Sequence, residues 1–394
     1  DGTKFPATIN AKQTGDGEKN EWYNFENLEP VTVTLPKGHS ILTLRASEKD
    51  KYPNIDYILV EKKQTATQSL KSAAAKKART AEDTPASEPA DSGKIMLVDV
   101  YNNPELMDDF LAQLSDDQLC GLMGGQTNTG VANTGGMGNL MEYGIPNAMT
   151  ADGPQGIRIG TTCTAWPIST LLASTWDVDL VKQVGKAAAV EAHNNGIDIW
   201  LAPGMNIHRD PLCGRNFEYY SEDPLLSGKM AANVITGAAE KGTYCYMKHF
   251  AVNDQENHRG DRDGQFSIAT FLNEQAAREI YLKPFEMCIK TDDVQMNYAK
   301  DNGDGTYSNA TREIPSVTGV MTSFNRIGYT WAGGDYNLVT GVLRNEWGFH
   351  GFIITDNANT GVFMDAGQMI RAGADGKLTN LPTGARYTFN KDDV

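Results

Sequence analysis

The stretch Gly351-Phe-Ile-Ile-Thr-Asp356-Asn-Ala decides how this chain is read, because a short apolar, β-branched run ends abruptly in a single carboxylate. A run of that kind is the pattern of a parallel strand covered on both faces. The carboxyl end of such a strand is where parallel α/β folds hold their chemistry. Taken alone, an Asp before the small polar loop Asn357-Ala-Asn359-Thr-Gly361 also reads as a helix N-cap. The rest of the chain has to supply the context.

Outward from that stretch, further apolar runs fall at 148–150, 197–202, 244–249, 317–323 and 374–378, giving six candidate strands with 352–355. Helical periodicity separates them at 178–195, 225–240, 268–291, 336–346 and 361–372. In the first of these, Leu180, Val184 and Ala187 share one face. Alternation of this kind over residues 94–394 predicts a parallel α/β fold. Six strands are compatible with a (β/α)8-type TIM barrel without requiring one.

Residues 1–63 read differently. Val31-Thr-Val-Thr-Leu, Ser40-Ile-Leu-Thr-Leu-Arg and Asp56-Tyr-Ile-Leu-Val alternate or run β-branched, and Pro36-Lys-Gly38 places a turn between the first two. They are expected to be the tail of a β-sandwich whose earlier strands lie elsewhere, and they resemble the end of a galactose-binding-like carbohydrate-binding module. Residues 64–93 shift to Ala, Lys, Ser, Thr, Glu and Pro, too poor in large apolar groups to offset their ordering entropy, and read as a linker.

The 394 residues are 40% hydrophobic and 22% charged, with a net charge of −15 and a pI of about 4.9. So acidic a surface argues against nucleic acid and against anionic membranes as partners. The sequence contains no uninterrupted apolar segment of the ~18 residues that a membrane-spanning helix needs. The five cysteines are scattered without metal-type or paired spacing, which favours buried free thiols, a reducing compartment and hence a cytoplasmic location. No HExxH or comparable histidine spacing appears, so neither metal nor cofactor is expected. The glycine-rich stretch 124–138 lacks the Lys-Ser/Thr ending of a phosphate loop and is expected to be a mobile active-site loop. Asp301-Asn-Gly-Asp304-Gly-Thr lacks a spaced bidentate Glu and is expected to be a surface turn rather than a calcium loop.

Three more polar clusters resemble the one at Asp356. Asp152, in Thr150-Ala-Asp-Gly-Pro, is either a sugar-hydroxyl acceptor or an ordinary turn residue. Gly214-Arg215-Asn-Phe-Glu218 offers a guanidinium fork that binds hydroxyls or simply pairs with its own Glu. Lys248-His249 closes the strand Tyr244-Cys-Tyr-Met, and only an irregular strand end would let both side chains reach one ligand. The dense loop Asn253-Asp-Gln-Glu-Asn-His-Arg259 follows. Jointly, the clusters describe a pocket for a polyol.

The ordered set Thr150-Ala-Asp-Gly-Pro, Gly214-Arg-Asn-Phe-Glu, Ser221-Glu-Asp-Pro224, Lys248-His-Phe250, Asn253-Asp-Gln-Glu-Asn257, Met321-Thr-Ser-Phe-Asn325 and Gly351-Phe-Ile-Ile-Thr-Asp356 resembles glycoside hydrolase family 3, the β-glucosidase and β-xylosidase group. The resemblance implies a retaining exo-β-glycosidase, first of all a β-glucosidase, with Asp356 as nucleophile. Asp152, Arg215, Lys248 and His249 would hold the terminal sugar, with Glu218 and Arg259 in support. The family usually places Trp after the nucleophile and Tyr in the methionine-containing strand, where this chain has Asn357 and Phe324. Trp166, Trp200 or Trp331 would then have to supply the sugar platform. A retaining enzyme also needs a second carboxyl roughly 5 Å from the first. The resemblance assigns that acid/base to a companion domain or chain, in a permuted order lying before Asp1. β-Xylosidase specificity and a decayed carbohydrate-binding protein are the competing readings. A sugar phosphorylase would need a phosphate site, which no motif supplies, and homo-oligomerisation is left open.

Overall fold

A computed structural model describes residues 93–125, 134–259, 267–302, 306–358 and 363–379. The expected β segment at 1–63 and all of the expected linker except Gly93 lie outside them. The strands are β1 (Gly136–Leu140), β2 (Ile145–Ala151), β3 (Ile199–Trp200), β4 (Tyr244–Phe250), β5 (Ala269–Thr270), β6 (Val294–Asp301), β7 (Tyr307–Ile314), β8 (Gly319–Thr322), β9 (Arg326–Ile327), β10 (Thr330–Trp331) and β11 (Phe352–Ile354). The principal sheet runs β1-β2-β3-β4-β8-β11. β1 lies antiparallel to β2, and every later neighbour is parallel. This is an α/β fold, as the alternation predicts.

Period-two side-chain alternation explains why the strands read as unbroken apolar runs. One set, including Ala151, Trp200, Met247, Val320 and Ile353, packs in the larger core with Val181, Ala188 and Val234 of the covering helices. The other set, Met137, Ile199, Tyr246, Met321 and Ile354, forms a second core together with Leu378. Both faces are therefore dry, as parallel sheets require. At Gly319 a Cβ would lie 1.9 Å from the Tyr246 ring of the adjacent strand, so only glycine fits there.

The helices at 178–195 and 225–240 form as Val178–Asn194 and Pro224–Ala239. Asp177 and Asp223 cap them by accepting the N–H groups of Leu180 at 2.9 Å and Leu225 at 2.7 Å. The helix expected over 268–291 is corrected. Its start is strand β5, Asn273 caps a new turn, a π turn spans Ala277–Tyr281, and the α-helix proper is Lys283–Ile289. Pro284 is the physical reason for the break before Lys283, since it offers no N–H to the Ile280 carbonyl and its ring clashes with it. The helix expected at 336–346 is π-helical over Asn337–Glu346, and the one expected at 361–372 starts only at Ala366, capped by Asp365. The strand expected at 374–378 contributes parallel bridges at Gly376 and Lys377.

Besides the two-residue strands β5, β9 and β10, three longer strands escape the sequence reading. β1 occupies part of the glycine-rich stretch expected to be a mobile loop, while residues 126–133 lie outside the described residues. Gly136 is required there because a Cβ would meet the Asn147 side chain at 1.9 Å. β6 and β7 form an antiparallel hairpin paired from Val294↔Ile314 to Asp301↔Tyr307, and residues 303–305 of the expected surface turn lie outside the described residues.

Candidate active site

The parallel strands deliver their carboxyl ends to one edge of the sheet, and the polar clusters follow those ends. Asp356 stands two residues beyond β11, its N–H donating to the Thr322 carbonyl at 3.1 Å. Its side chain is 11% exposed. The Asn357 N–H donates to Oδ1 at 2.7 Å, and Arg259 Nη1 donates to Oδ2 at 3.2 Å. His249 Nε2 lies 3.6 Å from the same Oδ2. The helix N-cap reading is excluded for Asp356, because the next described helix begins at Ala366 and is capped by Asp365.

Lys248 and His249 both face this edge. β4 pairs Met247 with Val320 but Phe250 with Thr322, so three steps on β4 match two on β8. That slip is the irregular end the pair needs. Lys248 is buried, and its ammonium donates to Asp152 Oδ1. Arg158, a residue the sequence reading does not single out, donates to Oδ2 of the same carboxylate. The Gly153 N–H adds a bond to Oδ1 at 3.1 Å. Burial alone would raise the Asp152 pKa, but Lys248, Arg158 and Arg215 outweigh it and hold the carboxyl well below its ordinary range.

Arg215 precedes the 3₁₀ turn Asn216–Glu218 in the loop after β3, and Glu218 is its last residue. They pair with each other, so the salt-bridge reading of this cluster holds in the structure. Arg215 Nη1 also lies 3.9 Å from Glu256 Oε1.

His249 is fully enclosed. Burial, reinforced by the positive charges of Arg215, Lys248 and Arg259, pushes its pKa well below the ordinary value, which leaves a neutral imidazole. Its Nδ1 is 3.0 Å from the buried Tyr219 hydroxyl. Asn206 clamps its backbone from both sides, at 2.8 and 2.9 Å.

Phe324 is buried, with the Arg259 guanidinium 4.4 Å from its ring centroid. The position that lacks a Tyr hydroxyl thus carries a flat base for the cation that donates to Asp356. The expected sugar platforms are corrected in two cases. Trp200 and Trp331 are core residues whose indole N–H groups donate to the Gly153 and Ser323 carbonyls at 3.0 and 2.9 Å. Trp166 packs half-buried against the same core.

Sequence reasoning missed Arg158 and Tyr219, and took Asn253 and Glu256 only as part of a dense polar loop without separate roles. The i,i+3 spacing of Glu256 and Arg259, whose Oε2 and Nε meet at 2.8 Å, was the available signal. Arg158 had none, because its approach to Asp152 depends on a turn bridging the two residues.

These features define an α/β protein with a carboxylate-and-cation cluster on the carboxyl edge of its parallel strands. The glycosyl hydrolase family 3 N-terminal domain matches residues 112–378, and the chain belongs to that family. It is 43% identical over 254 residues to beta-glucosidase A of Butyrivibrio fibrisolvens, covering 64% of this chain and 27% of that protein. It is 36% identical over 272 residues to a beta-glucosidase of Ruminococcus albus, covering 66% and 26%. Beta-glucosidase 3B from Thermotoga neapolitana in complex with alpha-D-glucose superposes with a TM-score of 0.59 at 33% identity, over 71% of this chain and 37% of that one. A beta-glucosidase from Paenibacillus barengoltzii gives 0.61 at 38% identity, over 74% and 30%. The chain spans about a quarter of the length of the curated relatives it matches.

Proposed function

We propose that this chain carries the nucleophile half of a retaining β-glucosidase site, with Asp356 attacking the anomeric carbon of a terminal β-glucosyl residue. The observation that carries the reading is the environment of Asp356. A backbone N–H on Oδ1 and Arg259 on Oδ2 hold the carboxylate and aim it. In the first step the Asp356 oxygen bonds to the anomeric carbon as the glycosidic C–O bond breaks. A second carboxyl protonates the departing oxygen, and water then releases the sugar.

Asp152, Arg215, Lys248 and His249 take the role of binding sugar hydroxyls, with Glu218 holding Arg215. Charged groups already paired to one another are preorganised acceptors and donors for such a ligand. The acid/base carboxyl is assigned to a part of the protein other than the described residues. The relatives quoted above carry β-glucosidase names, which favours glucose over xylose. For the architecture, we read the sheet as a (β/α)8-type barrel. Support comes from its two ends: a Cβ at Gly376, which bridges to β11, would lie 2.7 Å from the Met137 methyl of β1.

The test is incubation of the full-length protein with 2-deoxy-2-fluoro-β-glucosyl fluoride, followed by peptide mapping. One fluoroglucosyl unit on the peptide containing Asp356 is expected. An adduct on another residue, or none, refutes the assignment.

A further inference from the structure

The two side chains that face Oδ2 of Asp356, His249 and Arg259, are tied to one another behind the site. From His249 the path runs through Nδ1 to the Tyr219 hydroxyl at 3.0 Å, and Asn253 Nδ2 reaches that hydroxyl at 3.1 Å. From Arg259 it runs through Nε to Glu256 Oε2 at 2.8 Å, and the same Asn253 Nδ2 reaches Glu256 Oε1 at 3.3 Å. Asn253, Tyr219, His249, Asp356, Arg259 and Glu256 therefore close a ring. Asn253 and Tyr219 are fully buried.

We propose that Asn253 is a positioning residue whose single amide group sets both donors onto Oδ2 of Asp356. The inference rests on the reading of Asp356 as nucleophile. The Glu256 carboxylate fixes the amide orientation, since turning it over would set Oδ1 against Oε1. Its Oδ1 is buried without a hydrogen-bond partner among the described residues, so the residue is used for its two hydrogens. One hydrogen goes to the Tyr219 oxygen, which leaves the phenolic proton to donate to His249 Nδ1. A neutral imidazole that accepts at Nδ1 carries its own proton on Nε2, the atom facing Asp356. The second hydrogen orients Glu256, which holds Arg259 at Nε and leaves Nη1 for Asp356. Asn253 makes no hydrogen bond to Asp356 itself, and it acts through both arms.

The experiment measures inactivation of the full-length protein by 2-deoxy-2-fluoro-β-glucosyl fluoride, separating the maximal rate from the half-saturating concentration. Asn253→Ala and Tyr219→Phe are each expected to lower the maximal rate about 10- to 100-fold, the scale of a charge-assisted hydrogen bond. Half-saturation should stay within about twofold, a split that general loosening of the fold would not produce. The double variant should be no slower than the worse single one, because both lie on one path. Additive losses, or wild-type rates in folded Asn253→Ala, overturn the proposal. Should Asn253→Ala not fold, Tyr219→Phe decides, since it keeps the ring in its buried slot, and a wild-type rate there is equally fatal. If the wild-type protein is not labelled on Asp356, the nucleophile reading falls. If it is labelled and the variants are unchanged, only the role of Asn253 falls.

Discussion

Replacing Lys248 by Met tests the electrostatic logic of the site. The ammonium is 2% exposed and its partner Asp152 is 22% exposed, so the pair is largely desolvated. Removing one member of a buried pair while leaving its partner charged costs about 3–5 kcal/mol. Here the lower end is expected, about 3 kcal/mol, because Arg158 remains on Asp152 Oδ2 and is itself 66% exposed. Methionine nearly preserves the volume, so cavity formation adds little. Wild-type Asp152 has its pKa depressed in the folded state; it therefore contributes stability that is fully present above the ordinary value of 3.8 and is lost as pH falls through the folded value. Without Lys248, burial is less well offset and the folded pKa rises, so acid relieves the variant sooner. The difference between the two proteins should shrink as pH is lowered from 7 toward 4. Urea unfolding followed by the fluorescence of the buried tryptophans reads this difference directly. A loss below about 1 kcal/mol at pH 7, or no recovery in the Asp152→Asn/Lys248→Met double variant, would refute the reasoning.

Asp356→Asn should remove at least about 1,000-fold of turnover of an activated aryl β-glucoside by the full-length protein while unfolding midpoints stay close to wild type, since an amide cannot supply the attacking anion. His249, neutral in the fold, binds fewer protons than it does unfolded below its ordinary pKa of 6.5, so stability should fall with acid by up to about 1.4 kcal/mol per pH unit. His249→Gln removes that component, and parallel stability–pH curves for the two proteins between pH 6.5 and 5 would contradict it. Gly319→Ala should destabilise by about 1–3 kcal/mol in the same urea assay, because its methyl would overlap the Tyr246 ring, whereas wild-type stability would mean that β4 and β8 are not so closely packed.

The amino-acid sequence determined those parts that depend on neighbours along the chain. The apolar runs ending in Asp152, His249 and Asp356 named both the parallel strands and the positions at their polar edge, because burial on two faces leaves a local signature. The helices expected at 178–195 and 225–240 were legible from periodicity, and their caps Asp177 and Asp223 are equally local, since a cap is a contact between residues two or three apart. β1, by contrast, carries two glycines whose value lies in the close approach of β2, and nothing in Gly-Met-Gly-Asn-Leu reports that neighbour. The hairpin of β6 and β7 meets a small apolar cluster only at its base, through Val294, Met296 and Ile314, and is polar beyond it, so little core contact imposes a pattern on it. Trp200 and Trp331 looked available in the sequence because exposure is a property of the packed molecule. Only the tertiary structure decided that Arg158 reaches Asp152 and that Asn253 joins His249 to Arg259 through Tyr219 and Glu256. The bonds at Tyr219 span 30 and 34 residues, and beside them Lys248 reaches Asp152 across 96 and Arg259 reaches Asp356 across 97. Hydrogen-bond geometry between such segments is set by how strands stack in space, which linear spacing does not record.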